Sequence, residues 1–163
     1  MSGTGRPARM LVYVAAPYAA ANYEGVQENV RRAMFVARIV AATHREGFGI
    51  KADLTHGRTG TGYAPMVPHA LGWCGLFGDP FDSGAPSPAR STALQLGMDL
   101  LERCEVLVIL EGASAGVKGE YERAAERRLD VYSANWERWL ELGDKQDASH
   151  RRWLTGQHHI GST

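Results

Sequence analysis

The chain has 163 residues, and its 18 basic and 18 acidic side chains give a formal net charge of zero at pH 7. This balance argues against the strongly basic surface that binding to a nucleic-acid backbone requires, so we expect no nucleic acid as partner. The length suits a single α/β core, and no apolar run approaches the length of a membrane span, so we expect no membrane partner.

The N-terminal residues, the cysteines and the histidines indicate where the protein is located and whether it binds a metal. Residues 1–9 lack the apolar centre of a signal peptide, and we interpret them as a disordered start. Cys74 and Cys104 form no CxxC motif, which favours a reducing, cytoplasmic location. His56, His69 and Cys74 match no usual zinc spacing, so we expect no metal and no cofactor.

The first predicted element is a strand, the β-rich run from Leu11 to Ala15. Pro17 ends it, because proline cannot donate to a β-ladder, and the turn Ala16-Pro17-Tyr18 then lies at its carboxyl end. Taken alone, Tyr13 and Tyr18 favour ordinary aromatic packing over contact with a ligand.

A long amphipathic helix is predicted next, from about Gln27 to His44. Gly47 lies just past its end, as a C-cap would. The apolar residues of this helix recur at steps of three and four and form one stripe: Val30, Ala33, Met34, Ala37, Val40 and Ala41.

The middle of the chain is irregular. Phe48 to Ala52 suits a short strand, and the glycine-rich residues 54–64 suit a loop. A second loop covers residues 75–88. Ser87 and Pro88 suit an N-cap and the first position of a helix that ends near Arg103.

The most informative segment follows, a buried strand, a small turn and a helix that carries an acidic side chain. Val106 to Leu110 is an unbroken aliphatic run, typical of a parallel strand covered on both faces. Gly112, Ser114 and Gly116 keep the next turn small enough for a ligand to approach the backbone. The helix after it offers free N–H groups to an anion. Glu120 is then either a favourable acid near the helix start or a catalytic carboxylate at the carboxyl edge of the sheet.

These two motifs, the strand that ends in Ala-Ala-Pro-Tyr18 and the turn and helix Ser114-Ala-Gly-Val-Lys-Gly-Glu120, resemble the nucleoside 2-deoxyribosyltransferase superfamily. The similarity is to its small bacterial and phage members and to the related deoxynucleoside monophosphate N-glycosidases, and it covers about residues 10–133. It implies cleavage or transfer of the N-glycosidic bond of a 2-deoxynucleoside or its 5′-monophosphate. A small-molecule nucleoside or nucleotide is then the expected partner.

The resemblance also implies a role for each matching residue. Glu120 matches the glutamate that attacks the anomeric carbon of the sugar and displaces the base. Ser114 and Gly116 match the turn that holds the 5′ end or the 5′-phosphate of the sugar. Tyr13 and the turn Ala16-Pro17-Tyr18 match the segment that lines the pocket for sugar and base.

Two further positions leave alternatives open. The second carboxylate of the family falls at Gly97, so the nearest candidate is Asp99, which is equally compatible with a solvated aspartate paired with Arg103. Gly62 to His69 resembles the family's second strand, which ends in Pro-His. His69 then contacts the substrate or donates a proton, although a lone histidine after a proline is more often a loop residue.

The expected reaction explains these residue types. Breaking an N-glycosidic bond develops positive charge on the sugar, which a carboxylate stabilises or captures, and the leaving base needs a proton from a second acid. One alternative is a catalytically inactive nucleotide-binding or scaffold protein of the same fold. Another is a nucleotide phosphoribohydrolase, whose Pro-Gly-Gly-x-Gly-Thr turn is missing between Leu110 and Gly116.

The last segment is rich in tryptophan. Trp136, Trp139 and Leu140 share one helix face, which packs either on its own domain or in an oligomer interface. Because members of the resembled family form dimers or larger assemblies, we expect a homo-oligomer. We predict a flavodoxin-like three-layer α/β sandwich with a mostly parallel sheet of about five strands over residues 10–133, followed by a helical segment and tail over residues 134–163.

Overall fold

The structure is a computed structural model that describes residues 9–18, 20–43, 62–68, 70, 88–112 and 114–154. Within these ranges the chain forms four strands and four long helices, which alternate along most of the sequence. In chain order they are β1 (Met10–Ala15), α1 (Tyr23–Ala42), β2 (Tyr63–Met66), α2 (Pro88–Leu101), β3 (Val106–Leu110), α3 (Ala115–Glu126), β4 (Asp130–Ala134) and α4 (Trp136–Leu154). None of the described helices is both long enough and apolar enough to cross a membrane.

The four strands form one parallel sheet in the order β2-β1-β3-β4. This confirms the predicted α/β fold with a parallel sheet, although the described residues contain four strands and not about five. The short strand predicted from Phe48 to Ala52 lies outside the described residues. The strand order reverses between β1 and β3, and in open parallel sheets ligands bind beyond the carboxyl ends of the strands at such a reversal.

The two faces of the sheet are covered by different pairs of helices. Side chains alternate along a strand, so Val12 and Val14 of β1 pack with α1 and α4, whereas Tyr13 and Ala15 pack with α2 and α3. All four of these side chains are fully buried. The register therefore directs Tyr13 to the face of the sheet on which α3 lies.

Helix α1 begins four residues before the predicted start, because Asn22 caps it. The Asn22 side chain accepts a hydrogen bond from the Gly25 N–H at 2.9 Å. Its buried positions include most of the predicted stripe, but Met34 and Ala41 are exposed, which corrects that prediction. The buried face of α1 also includes Val36 and Ile39, so it is centred further round the helix than predicted. Met34 and Ala41 therefore lie just outside the buried face.

Helix α4 packs along α1, and Trp136 and Trp139 both pack against other parts of their own chain. Trp139 is fully buried, and its indole Nε1 donates to the Ala134 carbonyl at 3.2 Å. The Trp136 ring meets Phe35 edge-to-face at a centroid distance of 5.3 Å. Of the predicted apolar face, only Leu140 is largely exposed, at 41% of its surface.

Two contacts bring α4 close to α1. A Cβ on Gly143 would lie 2.5 Å from Cζ of Phe35, so glycine allows this close approach. The buried Gln146 donates from Nε2 to the Ile39 carbonyl at 2.7 Å. Ala134 is the last residue of β4, so the helical segment predicted from residue 134 begins at the end of the sheet.

Candidate active site

The turns that follow β1 and β3 touch each other at the carboxyl edge of the sheet. A Cβ on Gly112 would lie 2.5 Å from Cγ of Pro17, so the close approach requires glycine on this side. The Asn29 side chain donates from Nδ2 to the Tyr18 carbonyl at 3.3 Å, which ties the first turn to α1. Ala16 is buried and Pro17 is partly buried. The predicted binding turn is therefore part of a packed edge at the strand reversal.

Ser114 is the N-cap of α3. Its Oγ accepts a hydrogen bond from the Val117 N–H at 3.2 Å, so the helix begins at Ala115. Gly116 is exposed, and a Cβ there would meet only Ser114 Oγ, at 3.9 Å. Among the described residues nothing else lies within 4 Å of that position, which leaves the helix start accessible to an approaching group. Glu120 lies in the second turn, beyond the reach of a simple first-turn acid.

The centre of the site is a direct hydrogen bond between Tyr13 of β1 and Glu120 of α3. The Tyr13 hydroxyl donates to Oε1 of Glu120 at 2.6 Å, across 107 positions of sequence. Tyr13 is fully buried and Glu120 is partly buried. A short bond from a neutral donor to a carboxylate is among the stronger hydrogen bonds in proteins. It fixes one oxygen of Glu120 beneath the carboxyl edge of the sheet.

Burial dominates the ionisation of this pair. Burial raises the pKa of Glu120 from 4.5 to about 7, and the hydrogen bond from Tyr13 opposes that shift in part. Burial and the negative charge of Glu120 both raise the pKa of the Tyr13 hydroxyl above its ordinary value. Near pH 7 both the protonated and the ionised form of Glu120 are therefore populated, while Tyr13 remains a neutral donor.

The residue of α2 that lies next to the Tyr13–Glu120 pair is a glycine, Gly97. Gly97 is buried, and a Cβ there would lie 3.2 Å from the Tyr13 hydroxyl oxygen. The position at which the resemblance calls for a second carboxylate is thus next to the pair, but it is occupied by glycine. The contact between Gly97 and Tyr13 is not evident from the sequence, since it depends on how α2 crosses the sheet.

Asp99 lies away from the pair. It is exposed, and its Oδ1 accepts a hydrogen bond from Gln95 Nε2 at 3.0 Å. Two residues along a helix correspond to a rotation of about 200°, so Asp99 leaves α2 on nearly the opposite side from Gly97. The structure does not bring Asp99 to Glu120, and Arg103 donates to the Asp99 backbone carbonyl at 3.2 Å and not to its carboxylate.

An ion pair holds α3 against the end of α2. Arg123 binds the carboxylates of Glu102 and Glu126, and Arg127 donates to the Glu102 carbonyl at 3.2 Å. Such exposed pairs contribute little to stability, but they restrict the position of α3 relative to α2. That position sets the direction in which Glu120 leaves the helix.

The predicted site residues thus fall into three groups. Tyr13 and Glu120 are in contact, and Pro17 and Ser114 lie in the turns at the same edge. Asp99 faces elsewhere. His69 lies outside the described residues. Within the described ranges, no three His, Cys, Asp or Glu side chains are grouped so as to hold a metal ion.

No protein-family model matches the chain, and no curated protein matches it at a significant level. We therefore infer the function from the geometry of Tyr13, Glu120 and the two turns, together with the sequence resemblance.

Replacing Tyr13 by phenylalanine should shift the ionisation of Glu120 towards higher pH. The lost hydrogen bond lowers the pKa of Glu120, so its removal moves that pKa further above about 7. If the carboxylate form reacts, the rising limb of a plot of kcat/KM against pH moves to higher pH, and the rate falls about tenfold for each pH unit below the new pKa. NMR titration of the Glu120 carboxyl carbon measures the shift without turnover, and an unchanged pKa would contradict this account.

Proposed function

We propose that this protein cleaves or transfers the N-glycosidic bond of a 2-deoxynucleoside or a deoxynucleoside 5′-monophosphate, with Glu120 as the nucleophile. The observation that carries the proposal is the partly buried Glu120 carboxylate, fixed by the Tyr13 hydroxyl below the strand reversal between β1 and β3. A carboxylate in this setting is suited to capture a sugar at its anomeric carbon.

The hydrogen bond from Tyr13 supports different roles for the two carboxylate oxygens of Glu120. Oε1 accepts the Tyr13 hydrogen bond at 2.6 Å, which leaves Oε2 as the attacking atom. The pKa of about 7 keeps a large fraction of the carboxylate ionised at neutral pH and keeps that carboxylate more basic than an exposed one. In the proposed reaction, this oxygen attacks C1′ as the bond to the base breaks, and water or a second base then releases the sugar.

The proposal assigns the 5′ end of the substrate to the start of α3. The first N–H groups of a helix and its dipole favour a hydroxyl or a phosphate there. The Ser114 hydroxyl accepts from Val117 and still has its own proton to donate. The exposed Gly116 leaves the approach to these donors open.

Replacing Gly116 by valine should weaken substrate binding without unfolding the protein. A Cβ at this position meets nothing closer than 3.9 Å, so the fold should tolerate the change. The branched side chain would cover the helix start, and we expect KM to rise about tenfold or more as the 5′ contact is lost. Gly119→Val is the matched control, because a Cβ there has no neighbour within 4 Å and the residue lies a turn further on. An unchanged KM for Gly116→Val would contradict the assignment.

A direct assay tests the proposed function. The protein is incubated with each 2-deoxynucleoside and each 5′-monophosphate, with and without a second base as acceptor, and free base is measured by chromatography. We expect release of base by the wild type and none by Glu120→Gln. Absence of release from every substrate would contradict the proposal.

A second candidate is a nucleotide-binding or scaffold protein of the same fold without turnover. Gly97 favours it, because this residue offers no acid to the leaving base from α2. Binding of nucleotides without release of base would support this candidate. In either case we propose a cytoplasmic homo-oligomer, as the resemblance and the cysteine content suggest.

A further inference from the structure

The Glu120 carboxylate has no cationic partner among the described residues. It accepts a hydrogen bond from the neutral Tyr13 hydroxyl, and burial is the largest cause of its raised pKa. The basic side chains nearest to it along α3 are engaged elsewhere. Lys118 lies 3.8 Å from Glu122, and Arg123 binds Glu102 and Glu126. A desolvated carboxylate without a counter-ion is costly, and a positively charged ligand would relieve that cost.

The side of the pair that faces α2 offers no acid. Gly97 is next to the Tyr13 hydroxyl, and a Cβ there would lie 3.2 Å from it, a contact tight enough that the hydroxyl would have to shift by a few tenths of an ångström. Asp99, the carboxylate of α2, is exposed and faces away. Tyr13 is a poor acid for the leaving base, because its pKa is raised and its hydroxyl already donates a hydrogen bond to Glu120.

From these two observations we propose that, among 2-deoxyribosides, the site prefers those whose leaving base carries a positive charge, such as a quaternised pyridinium or an N-alkylated purine. This inference rests on the proposed function and names the substrate class of the same site. A cationic base supplies Glu120 with a counter-ion that the described residues do not provide. Such a base also departs without needing a proton, so the absence of an acidic side chain at position 97 does not slow its departure.

The reaction balances without an added acid. One oxygen of Glu120 forms a bond to C1′ while the C1′–N bond breaks, and the electron pair of the broken bond neutralises the base nitrogen. The base departs as a neutral molecule and leaves a neutral glycosyl ester on Glu120. Water then attacks C1′, the carboxylate departs, and the proton of that water passes to solvent. A neutral base would instead depart as an anion, which requires protonation.

The first test measures binding with ligands that cannot react. The probes are two C-linked 2-deoxyribosides of the same shape, one with an N-methylpyridinium ring and one with a methylphenyl ring. At pH 8, where Glu120 is ionised, we expect the wild type to bind the cation about tenfold more tightly or better. The preference should fall towards unity at pH 5.5 and in Glu120→Gln at either pH. Glu122→Gln, which removes an exposed carboxylate of the same helix, should retain it.

The second test separates this inference from the proposed function. Release of base is compared between nicotinamide 2-deoxyriboside and 2-deoxyuridine, each rate divided by the uncatalysed rate under the same conditions. We expect the larger acceleration for the pyridinium substrate. Equal binding of both probes at pH 8, or equal acceleration of both substrates, overturns the charge preference and leaves N-glycoside cleavage standing. Failure to bind or cleave any of these compounds also overturns the charge preference, and the proposed function is overturned only if no 2-deoxynucleoside or 5′-monophosphate releases base.

Discussion

Replacing Glu120 by glutamine should abolish release of base and, at the same time, make the protein more stable at alkaline pH. Loss of a nucleophile is expected to reduce kcat by on the order of a thousandfold or more. Glutamine keeps an acceptor oxygen for the Tyr13 hydroxyl, so the fold should be retained. Near-normal turnover in the variant would contradict the role of Glu120.

The stability effect follows from the ionisation of Glu120. Burial raises its pKa in the folded protein from 4.5 to about 7, so the folded state binds the proton more tightly than the unfolded state. Its contribution to stability is therefore complete below pH 4.5 and is lost as the pH rises through about 7. At pH 8 the buried charge costs up to about 3 kcal/mol, which glutamine avoids.

Urea unfolding at two pH values measures this difference. We expect Glu120→Gln and the wild type to differ little at pH 5 and the variant to be more stable at pH 8. Glu122→Gln is the control, because Glu122 is exposed and bound to Lys118. If wild type and Glu120→Gln unfold at the same urea concentration at pH 8, then the ionised Glu120 does not destabilise the fold. That result would contradict the raised pKa of Glu120.

Replacing Trp139 by alanine should destabilise the domain by about 3–5 kcal/mol, the usual cost of removing a large aromatic side chain from a core. Trp139 is fully buried, donates to the Ala134 carbonyl at 3.2 Å and meets the Tyr132 ring at a centroid distance of 5.5 Å. The free energy of unfolding from denaturant titration measures the loss. A loss below about 1 kcal/mol would contradict the packing of α4 on the sheet.

The matched control for this variant is Leu140→Glu, which also tests assembly. Leu140 is the next residue of α4 and is 41% exposed, so glutamate there should leave the free energy of unfolding nearly unchanged. If the protein forms an oligomer through this exposed face of α4, sedimentation of Leu140→Glu should reveal smaller species. Trp139 cannot be used for that purpose, because its substitution would disturb the core before it disturbed an interface.

Several elements could be predicted from the sequence because their pattern of apolar residues matches their burial in the folded protein. Val106 to Leu110 forms β3 with five buried residues, as an unbroken aliphatic run indicates. Tyr13 and Glu120 were singled out by the motifs that surround them. The hydrogen bond between them could not be predicted, because it depends on the register of β1 against β3 and on the tilt of α3.

Other features depended on packing that no local pattern records. Asp99 was the nearest carboxylate in sequence to the expected position, but helical rotation turns it away, and Gly97 reaches the site instead. Trp136, Trp139 and Leu140 suggested an interface. In the structure, however, Phe35 of the same chain contacts the Trp136 ring, and Tyr132 contacts the Trp139 ring. The sequence pattern of an apolar helix face is the same whether that face packs on its own domain or on another subunit.

The strand order has a consequence for the way this chain acquires its site. Tyr13 and Glu120 are 107 positions apart, and they meet only after β1 pairs with β3, which is not its neighbour in the chain. Such a long loop closure is slow, because its entropic cost is met before the contact contributes. During synthesis, Tyr13 emerges long before the helix that carries its partner. Ligand-binding competence should therefore appear late in refolding, after most helical signal has returned, and should report on completion of the sheet.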